Sequence, residues 1–166
     1  MGSFRLRSSL DFTATIRMIE LPRWGLIVGG ATVMFFGQIA LILLGSWLWG
    51  TAPGHEKPFS NQSIAFQLFI TVVAMPFVET LIGQWLPIRL VSGILRQPWW
   101  LGGLASAIAF TCLHGYTDRA ALSIFLGAVV LATVFVIEAR RLGRPVLSTY
   151  LTHALANAFV LALRLL

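Results

Sequence analysis

The chain has 166 residues, of which 57% are hydrophobic and 11% are charged, and its mean hydropathy is +0.83. A soluble globular domain carries roughly 25% charged residues, so this composition excludes an ordinary water-soluble protein and a disordered chain. The net charge is +6, but the basic residues stand in short clusters between long apolar runs. This pattern excludes nucleic acid as a partner, because phosphate binding needs a solvated basic surface. We expect an integral membrane protein in contact with membrane lipid.

Five apolar runs follow one another along the chain, and each is a candidate membrane helix. A bilayer core about 30 Å thick needs about 20 apolar helical residues. The runs cover residues 24–49, 64–85, 98–115, 120–137 and 145–166, and the third is short. They predict an all-α, polytopic transmembrane bundle of about five helices. The second run predicts a helix to about Trp85, where Pro87 and Arg89 mark the point at which it leaves the hydrocarbon or bends, and then a short amphipathic surface segment over 90–97.

The basic clusters predict the orientation of the bundle. With a cytoplasmic N-terminus, nine of the twelve basic residues face the cytoplasm and three face outside, as the positive-inside rule requires. We divide the chain into a basic amphipathic cytoplasmic segment, 1–23, and a single transmembrane domain, 24–166, with a catalytic core over 64–166. The expected location is a cell membrane, crossed several times, and specifically a bacterial inner membrane. The sequence assigns no oligomeric state.

Polar side chains within the apolar runs indicate a functional site. An ionisable residue in hydrocarbon costs about 2.5–3.5 kcal/mol, which makes Glu79, His114 and His153 functional candidates. Asn157 lies four residues after His153, and His114 lies four residues after Phe110, so each pair shares one face of its helix. Three different helices can therefore turn polar groups toward a common interior.

These residue types suit the hydrolysis of a peptide bond by activated water. Glu79 can take a proton from water, and an imidazole can hold the same water and shuttle its proton. A second imidazole and an amide N–H can stabilise the oxyanion that forms. Metal binding is the rival use, because Glu79, His114 and His153 match the ligand count of a zinc site. The spacing neither supports nor excludes a metal, and structural helix packing is the third reading of such residues.

Two further expectations concern positions along the helices. The predicted helix ends place His114 roughly 10 Å further out than Glu79 at 1.5 Å per residue, unless tilt or an extension beyond Gly115 corrects the offset. Glu138 lies three residues before Arg141 at the end of the fourth helix, which predicts an interfacial ion pair between them.

Three motifs, taken in order, resemble the signature of the CPBP intramembrane proteases, which include CAAX prenyl endoproteases, bacteriocin-processing enzymes and Abi proteins. That signature is EExxxR, then FxxxH, then HxxxN. The second motif is matched in full by Phe110–His114, and the third by His153–Asn157. The resemblance covers about residues 71–159, and the order and spacing of the motifs make it more specific than any one of them.

The first motif departs from the family pattern. Glu79 is its leading glutamate, but Thr80 replaces the second glutamate and Gln84 replaces the arginine. One negative and one positive charge are lost together, as expected of a compensated pair. We expect Gln84 to donate a hydrogen bond to Thr80, one turn back. Thr80, Gln84 and Phe110 are the predicted supporting residues.

The resemblance implies a role for each candidate catalytic residue. Glu79 would activate the water, His114 would help to hold it, and His153 with Asn157 would form the oxyanion site. It favours a glutamic mechanism without a metal cofactor, with a divalent metal such as zinc as the alternative. The expected function is an intramembrane endopeptidase that cleaves a peptide or a membrane-anchored protein. The alternatives are a catalytically inactive membrane binding or immunity protein of the same fold, and a small proton transporter.

Overall fold

A computed structural model describes residues 20–50, 59, 61–116 and 118–165 of the protein. Within these ranges the chain forms five helices and no strand, which confirms the predicted all-α polytopic bundle. The helices are α1 (Arg23–Trp49), α2 (Ile64–Ile94), α3 (Trp99–Leu113), α4 (Ala120–Arg140) and α5 (Pro145–Leu165). All but the last four residues of the predicted cytoplasmic segment 1–23 lie outside the described residues.

Four of these helices are long and apolar enough to cross a membrane, and α3 is the shorter fifth. It has 15 residues, which corresponds to a rise of about 22 Å. This is less than the roughly 30 Å of a bilayer core. Helix α3 is therefore too short to cross the bilayer core along its own length.

Helix α2 differs most from its prediction. It runs without interruption from Ile64 to Ile94, so it extends beyond the expected limit near Trp85, and residues 90–94 belong to it rather than to a separate surface segment. Three of its turns are π-helical and therefore wider than α-helical turns: Phe69–Ala74, Thr80–Trp85 and Arg89–Ile94. Pro76 and Pro87 each lie two residues beyond one of these wide turns, and the helix continues past both.

A neighbouring helix compensates for the hydrogen bond that Pro87 removes. Proline has no N–H, so the carbonyl of Gly83, four residues earlier, loses its α-helical donor. The hydroxyl of Ser106 on α3 donates to that carbonyl oxygen at 2.8 Å, and Ser106 is fully buried. In hydrocarbon an unsatisfied carbonyl is costly, so this bond lets α2 continue and fixes α3 against it.

The apolar core is built where α1, α3, α4 and α5 meet, and small side chains let the helices approach closely. Its buried members are Ala31, Met34, Ala107, Phe110, Ala128, Leu131 and Ala156. Helix α2 packs against α3 and α5 at the side of this core. Helix α2 is therefore in contact with two of the helices that build the core.

A second buried feature joins the ends of α1, α4 and α5. The Glu138 carboxylate is fully buried and accepts a hydrogen bond from the Arg141 guanidinium, so the predicted pair is confirmed. It also accepts the backbone N–H of Arg144 at 2.7 Å and lies 3.7 Å from Arg23 Nε. The pair is thus part of a charge cluster that ties three helix ends together.

Candidate active site

The imidazoles of two histidines approach the carboxylate of one glutamate, and the three side chains come from different parts of the bundle. Glu79 lies near the middle of α2, His114 directly follows α3, and His153 lies on α5. Glu79 Oε1 is 3.9 Å from His114 Nε2, and Glu79 Oε2 is 3.4 Å from His153 Nε2. The structure therefore brings together three of the four predicted catalytic side chains, with one imidazole at each carboxylate oxygen.

The extra length of α2 sets the common depth of Glu79 and His114. Glu79 precedes the end of α2 at Ile94 by 15 residues, and His114 follows the start of α3 at Trp99 by 15 residues. The two helices form an antiparallel pair, so equal distances from the connection place the two residues level. The predicted offset of about 10 Å is wrong, because α2 is nine residues longer than expected, a rise of about 13 Å.

The Phe110 ring holds both imidazoles. Its centroid lies 4.6 Å from that of His114 and 5.7 Å from that of His153. Phe110 is itself buried in the core, against Gly83 of α2. Phe110, the predicted supporting residue of the second motif, thus packs against both imidazoles. This packing orients the two rings toward Glu79.

The backbone determines which nitrogen of His114 carries a proton. His114 Nδ1 lies 2.8 Å from the carbonyl oxygen of Phe110. A carbonyl oxygen only accepts, so we assign the proton to Nδ1. The neutral ring then presents an unprotonated Nε2 toward Glu79. The gap of 3.9 Å is too long for a direct hydrogen bond and is suited to a bridging water.

Asn157 is bound to the backbone of α2 rather than to the carboxylate. Its Nδ2 donates to the carbonyl oxygen of Thr71 at 2.8 Å. That carbonyl has no donor within its own helix, since the N–H of Met75 bonds to Ile70 and Pro76 has no N–H. Asn157 therefore fixes α5 against α2 one turn from His153, and its second amide hydrogen remains for another acceptor.

The substituted positions of the first motif are fully buried. Thr80 and Gln84 lie inside the bundle, and neither side chain has a hydrogen-bond partner among the described residues. The expected hydrogen bond from Gln84 to Thr80 is therefore not formed. Thr149 Oγ1 and His153 Nδ1 are likewise buried and unpartnered within the described chain. Sequence reasoning missed Thr149, although its position one turn before His153 was a signal for it.

Exposure distinguishes the two histidines. The side chains of Glu79 and His114 are 23% and 27% exposed, whereas that of His153 is only 4% exposed. The carboxylate is therefore partly exposed on the side of His114, and its other side rests on the buried imidazole of His153. Among the described residues, no lysine or arginine forms an ion pair with Glu79.

A metal does not fit the arrangement as it stands. Within the described part of the chain, no group of three His, Cys, Asp or Glu side chains is placed to hold a metal ion. Glu79, His114 and His153 are close together, but each Glu79 oxygen is directed to a different imidazole. Whether hydrolysis depends on a divalent metal stays a prediction for experiment.

Together the fold and this cluster define a multi-pass membrane protein with a carboxylate–imidazole site between its helices. A family model for type II CAAX prenyl endopeptidase Rce1-like proteins matches residues 61–159, more than half of the chain. The chain belongs to this family, which makes it a CAAX-type intramembrane endopeptidase in general terms and agrees with the resemblance carried by the motifs. Glu79, His114, His153 and Asn157 all lie within the matched residues. No curated protein and no solved structure matches the chain.

Proposed function

We propose that this protein hydrolyses a peptide bond at the membrane with a water molecule activated by Glu79. The observation that carries the proposal is the placement of the Glu79 carboxylate between His114 Nε2 and His153 Nε2, at 3.9 and 3.4 Å. A half-buried carboxylate in reach of two imidazoles, with no lysine or arginine paired to it in the described chain, is a suitable general base.

The proposed first step forms a bond between water and the scissile carbonyl carbon. A water held between Glu79 Oε1 and His114 Nε2 gives one proton to the carboxylate. Its oxygen attacks the carbonyl carbon, and the electron pair of the C=O bond moves to the oxygen. When this intermediate collapses, the C–N bond breaks and Glu79 returns its proton to the leaving amine. One peptide and one water thus yield a carboxylic acid and an amine, with Glu79 restored.

The oxyanion needs hydrogen-bond donors on the buried side of the site. His153 Nε2 lies 3.4 Å from Glu79 Oε2, so a proton on this nitrogen is within reach of the reacting group. Asn157 follows one turn later and keeps one amide hydrogen beyond its bond to Thr71. These two donors are fixed before reaction, which is the condition under which such donors lower a barrier.

The family description points to a peptide that carries a prenylated cysteine near its C-terminus. An isoprenoid chain partitions into the bilayer, and the exposed surface of α2 beside Glu79 is apolar, with Met75, Phe77, Val78 and Ile82 exposed. A lipid-anchored peptide would therefore reach the carboxylate from the membrane. We propose such a peptide, or a lipid-anchored protein, as the substrate, and a bacterial inner membrane as the location.

A direct test uses the purified full chain in liposomes with two synthetic peptides of one sequence ending in CAAX, of which only one is farnesylated. Mass spectrometry of the products identifies the bond that breaks. We expect cleavage of the farnesylated peptide by the wild-type protein and none by Glu79→Gln. If neither peptide is cleaved, the CAAX-type substrate is contradicted. If Glu79→Gln cleaves as fast as wild type, the mechanism is contradicted, and a non-catalytic role for the cluster gains support.

A further inference from the structure

Buried polar atoms without partners lie on two facing helices next to the site. They are Thr80 Oγ1, the side-chain amide of Gln84, Thr149 Oγ1 and His153 Nδ1, with Ser148 Oγ next to Thr149 on α5, and none has a hydrogen-bond partner among the described residues. Thr80, Gln84 and Thr149 are fully buried, and His153 is nearly so. Buried polar groups are nearly always hydrogen-bonded, to protein or to ordered water.

The helix register places these side chains within neighbouring turns of α2 and α5. Two contacts join α2 and α5 in an antiparallel arrangement: Asn157 to Thr71, and His153 to Glu79. One more turn of α5 in the same direction leads from His153 to Thr149. One more turn of α2 leads from Glu79 into the wide turn Thr80–Trp85, against which α5 packs. Thr149 therefore lies beside the turn that carries Thr80 and Gln84.

His153 needs a donor at Nδ1 if its Nε2 is to serve the reaction. A neutral imidazole has one protonated nitrogen, and a hydrogen bond accepted by the other nitrogen fixes which one it is. His153 Nε2 faces Glu79 at 3.4 Å. A group that donates to Nδ1 keeps the proton on Nε2, where it can reach an oxyanion. Threonine hydroxyls and the Gln84 amide are all able to donate.

We propose that Thr149 is a positioning residue for His153. Its hydroxyl, together with Thr80 and Gln84, binds an internal water that donates a hydrogen bond to His153 Nδ1 and holds the ring in its Nε2–H form. A water is the bridging group because these side chains form no hydrogen bond with one another, and an internal water needs two to four polar partners. This role rests on the proposed function, since it prepares His153 for the oxyanion.

The test compares Thr149→Val, which keeps the shape and removes the hydroxyl, with Thr149→Ser, which keeps the hydroxyl. The matched control is Thr133→Val on α4, since Thr133 is exposed and bonds only to its own helix among the described residues. The readouts are the ¹⁵N imidazole shifts of the histidines in the resting protein, which report the tautomer, and the rate of hydrolysis of the farnesylated peptide.

In the wild type, in Thr149→Ser and in Thr133→Val we expect His153 as the Nε2–H form. In Thr149→Val we expect a mixture of tautomers at His153 with an unchanged His114, and a fall of about 10-fold in kcat, as for other residues that orient a functional histidine. If Thr149→Val does not fold, Thr149→Ala takes its place, because it removes the same hydroxyl without adding volume.

An unchanged His153 spectrum in the folded variant overturns the inference. A wild-type spectrum that places the His153 proton on Nδ1 instead of Nε2 also overturns it. The spectrum is recorded without substrate, so it tests the role of Thr149 separately from the proposed function. The proposed function fails instead if hydrolysis does not depend on Glu79.

Discussion

Gly83 on α2 and Phe110 on α3 are in such close contact that position 83 has no room for a side chain. A Cβ atom built at Gly83 would lie 2.5 Å from Cδ2 and 3.3 Å from Cγ of the Phe110 ring. The same ring also packs beside the imidazoles of His114 and His153. The glycine therefore sets how deeply Phe110 enters the bundle, and Phe110 sets where the two histidines stand.

Replacement of Gly83 by alanine should disturb the site through this ring. Phe110 is buried and cannot move without displacing the histidines, so we expect a loss of about 1–3 kcal/mol in unfolding free energy. Because a displacement of about 1 Å can cost about 100-fold in rate, hydrolysis should fall at least about 10-fold. Thermal unfolding in detergent and the peptide assay measure both effects.

The matched control for that variant is Gly29→Ala on α1, where nothing lies within 4 Å of the added Cβ. It should leave activity unchanged and stabilise the helix slightly. A Gly83→Ala protein with wild-type stability and rate would show that the Phe110 contact does not position the histidines.

Asn157 has two possible roles, and a double substitution separates them. Asn157→Ala removes the donor to the Thr71 carbonyl, which should cost about 1 kcal/mol of stability. Pro76→Ala restores an N–H within α2 that can reach that carbonyl. We therefore expect the stability loss from Asn157→Ala to shrink in a Pro76→Ala background.

The rate of peptide hydrolysis tests whether Asn157 also acts in catalysis. If the remaining amide hydrogen of Asn157 stabilises the oxyanion, hydrolysis stays slow in the double variant although stability returns. A double variant that recovers both stability and rate would limit Asn157 to fixing α5 against α2.

Glu138 should matter for stability and not for chemistry. Its buried carboxylate accepts from Arg141 and from the backbone of Arg144, and it lies close to Arg23. Glu138→Gln removes the charge that strengthens its hydrogen bonds to the partly exposed Arg141 guanidinium and to the Arg144 backbone, which should cost about 1.5–3 kcal/mol. The Tm should fall clearly, while the rate well below the Tm stays near that of wild type.

Arg140→Gln is the control for this cluster, because Arg140 is exposed at the same helix end. It should leave the Tm almost unchanged. Equal effects of the two substitutions would contradict a specific role for the cluster around Glu138.

Removal of metal ions should leave hydrolysis intact. No three candidate ligands among the described residues are placed to hold a metal, and each oxygen of Glu79 is directed to a different imidazole. Incubation with 1,10-phenanthroline, with a known zinc protease as the positive control, should inhibit only the control. Loss of activity that returns on addition of zinc would instead assign Glu79, His114 and His153 as ligands.

The sequence predicted the helices and the residues of the cluster, because both are local signals. Apolar length marks a membrane helix, and a lone Glu79 or His153 within it marks a function. The path of α2 beyond Pro87 was not predictable in this way. Proline normally ends or bends a helix, and here the freed carbonyl of Gly83 is satisfied by Ser106, which is 23 residues away.

The same limit applies to partners inside the site. Local spacing pairs Gln84 with Thr80, but burial in the α2–α5 interface leaves both without a protein partner in the described chain. Asn157 was expected beside His153 in an oxyanion site, and its bond to Thr71 depends on how α5 lies against a wide turn of another helix. Such contacts follow from tertiary packing, which no single helix encodes.

The central claim is that Glu79 is the general base, and single-turnover hydrolysis of the farnesylated peptide tests it most directly. The wild type is compared with Glu79→Gln, which removes the base, and Glu79→Asp, which keeps a carboxylate on a shorter side chain. With folding verified by thermal unfolding, we predict a loss of about 1,000-fold for glutamine, within the range for general-base catalysis, and a smaller loss for aspartate. A Glu79→Gln protein that hydrolyses the peptide at the wild-type rate would contradict the account.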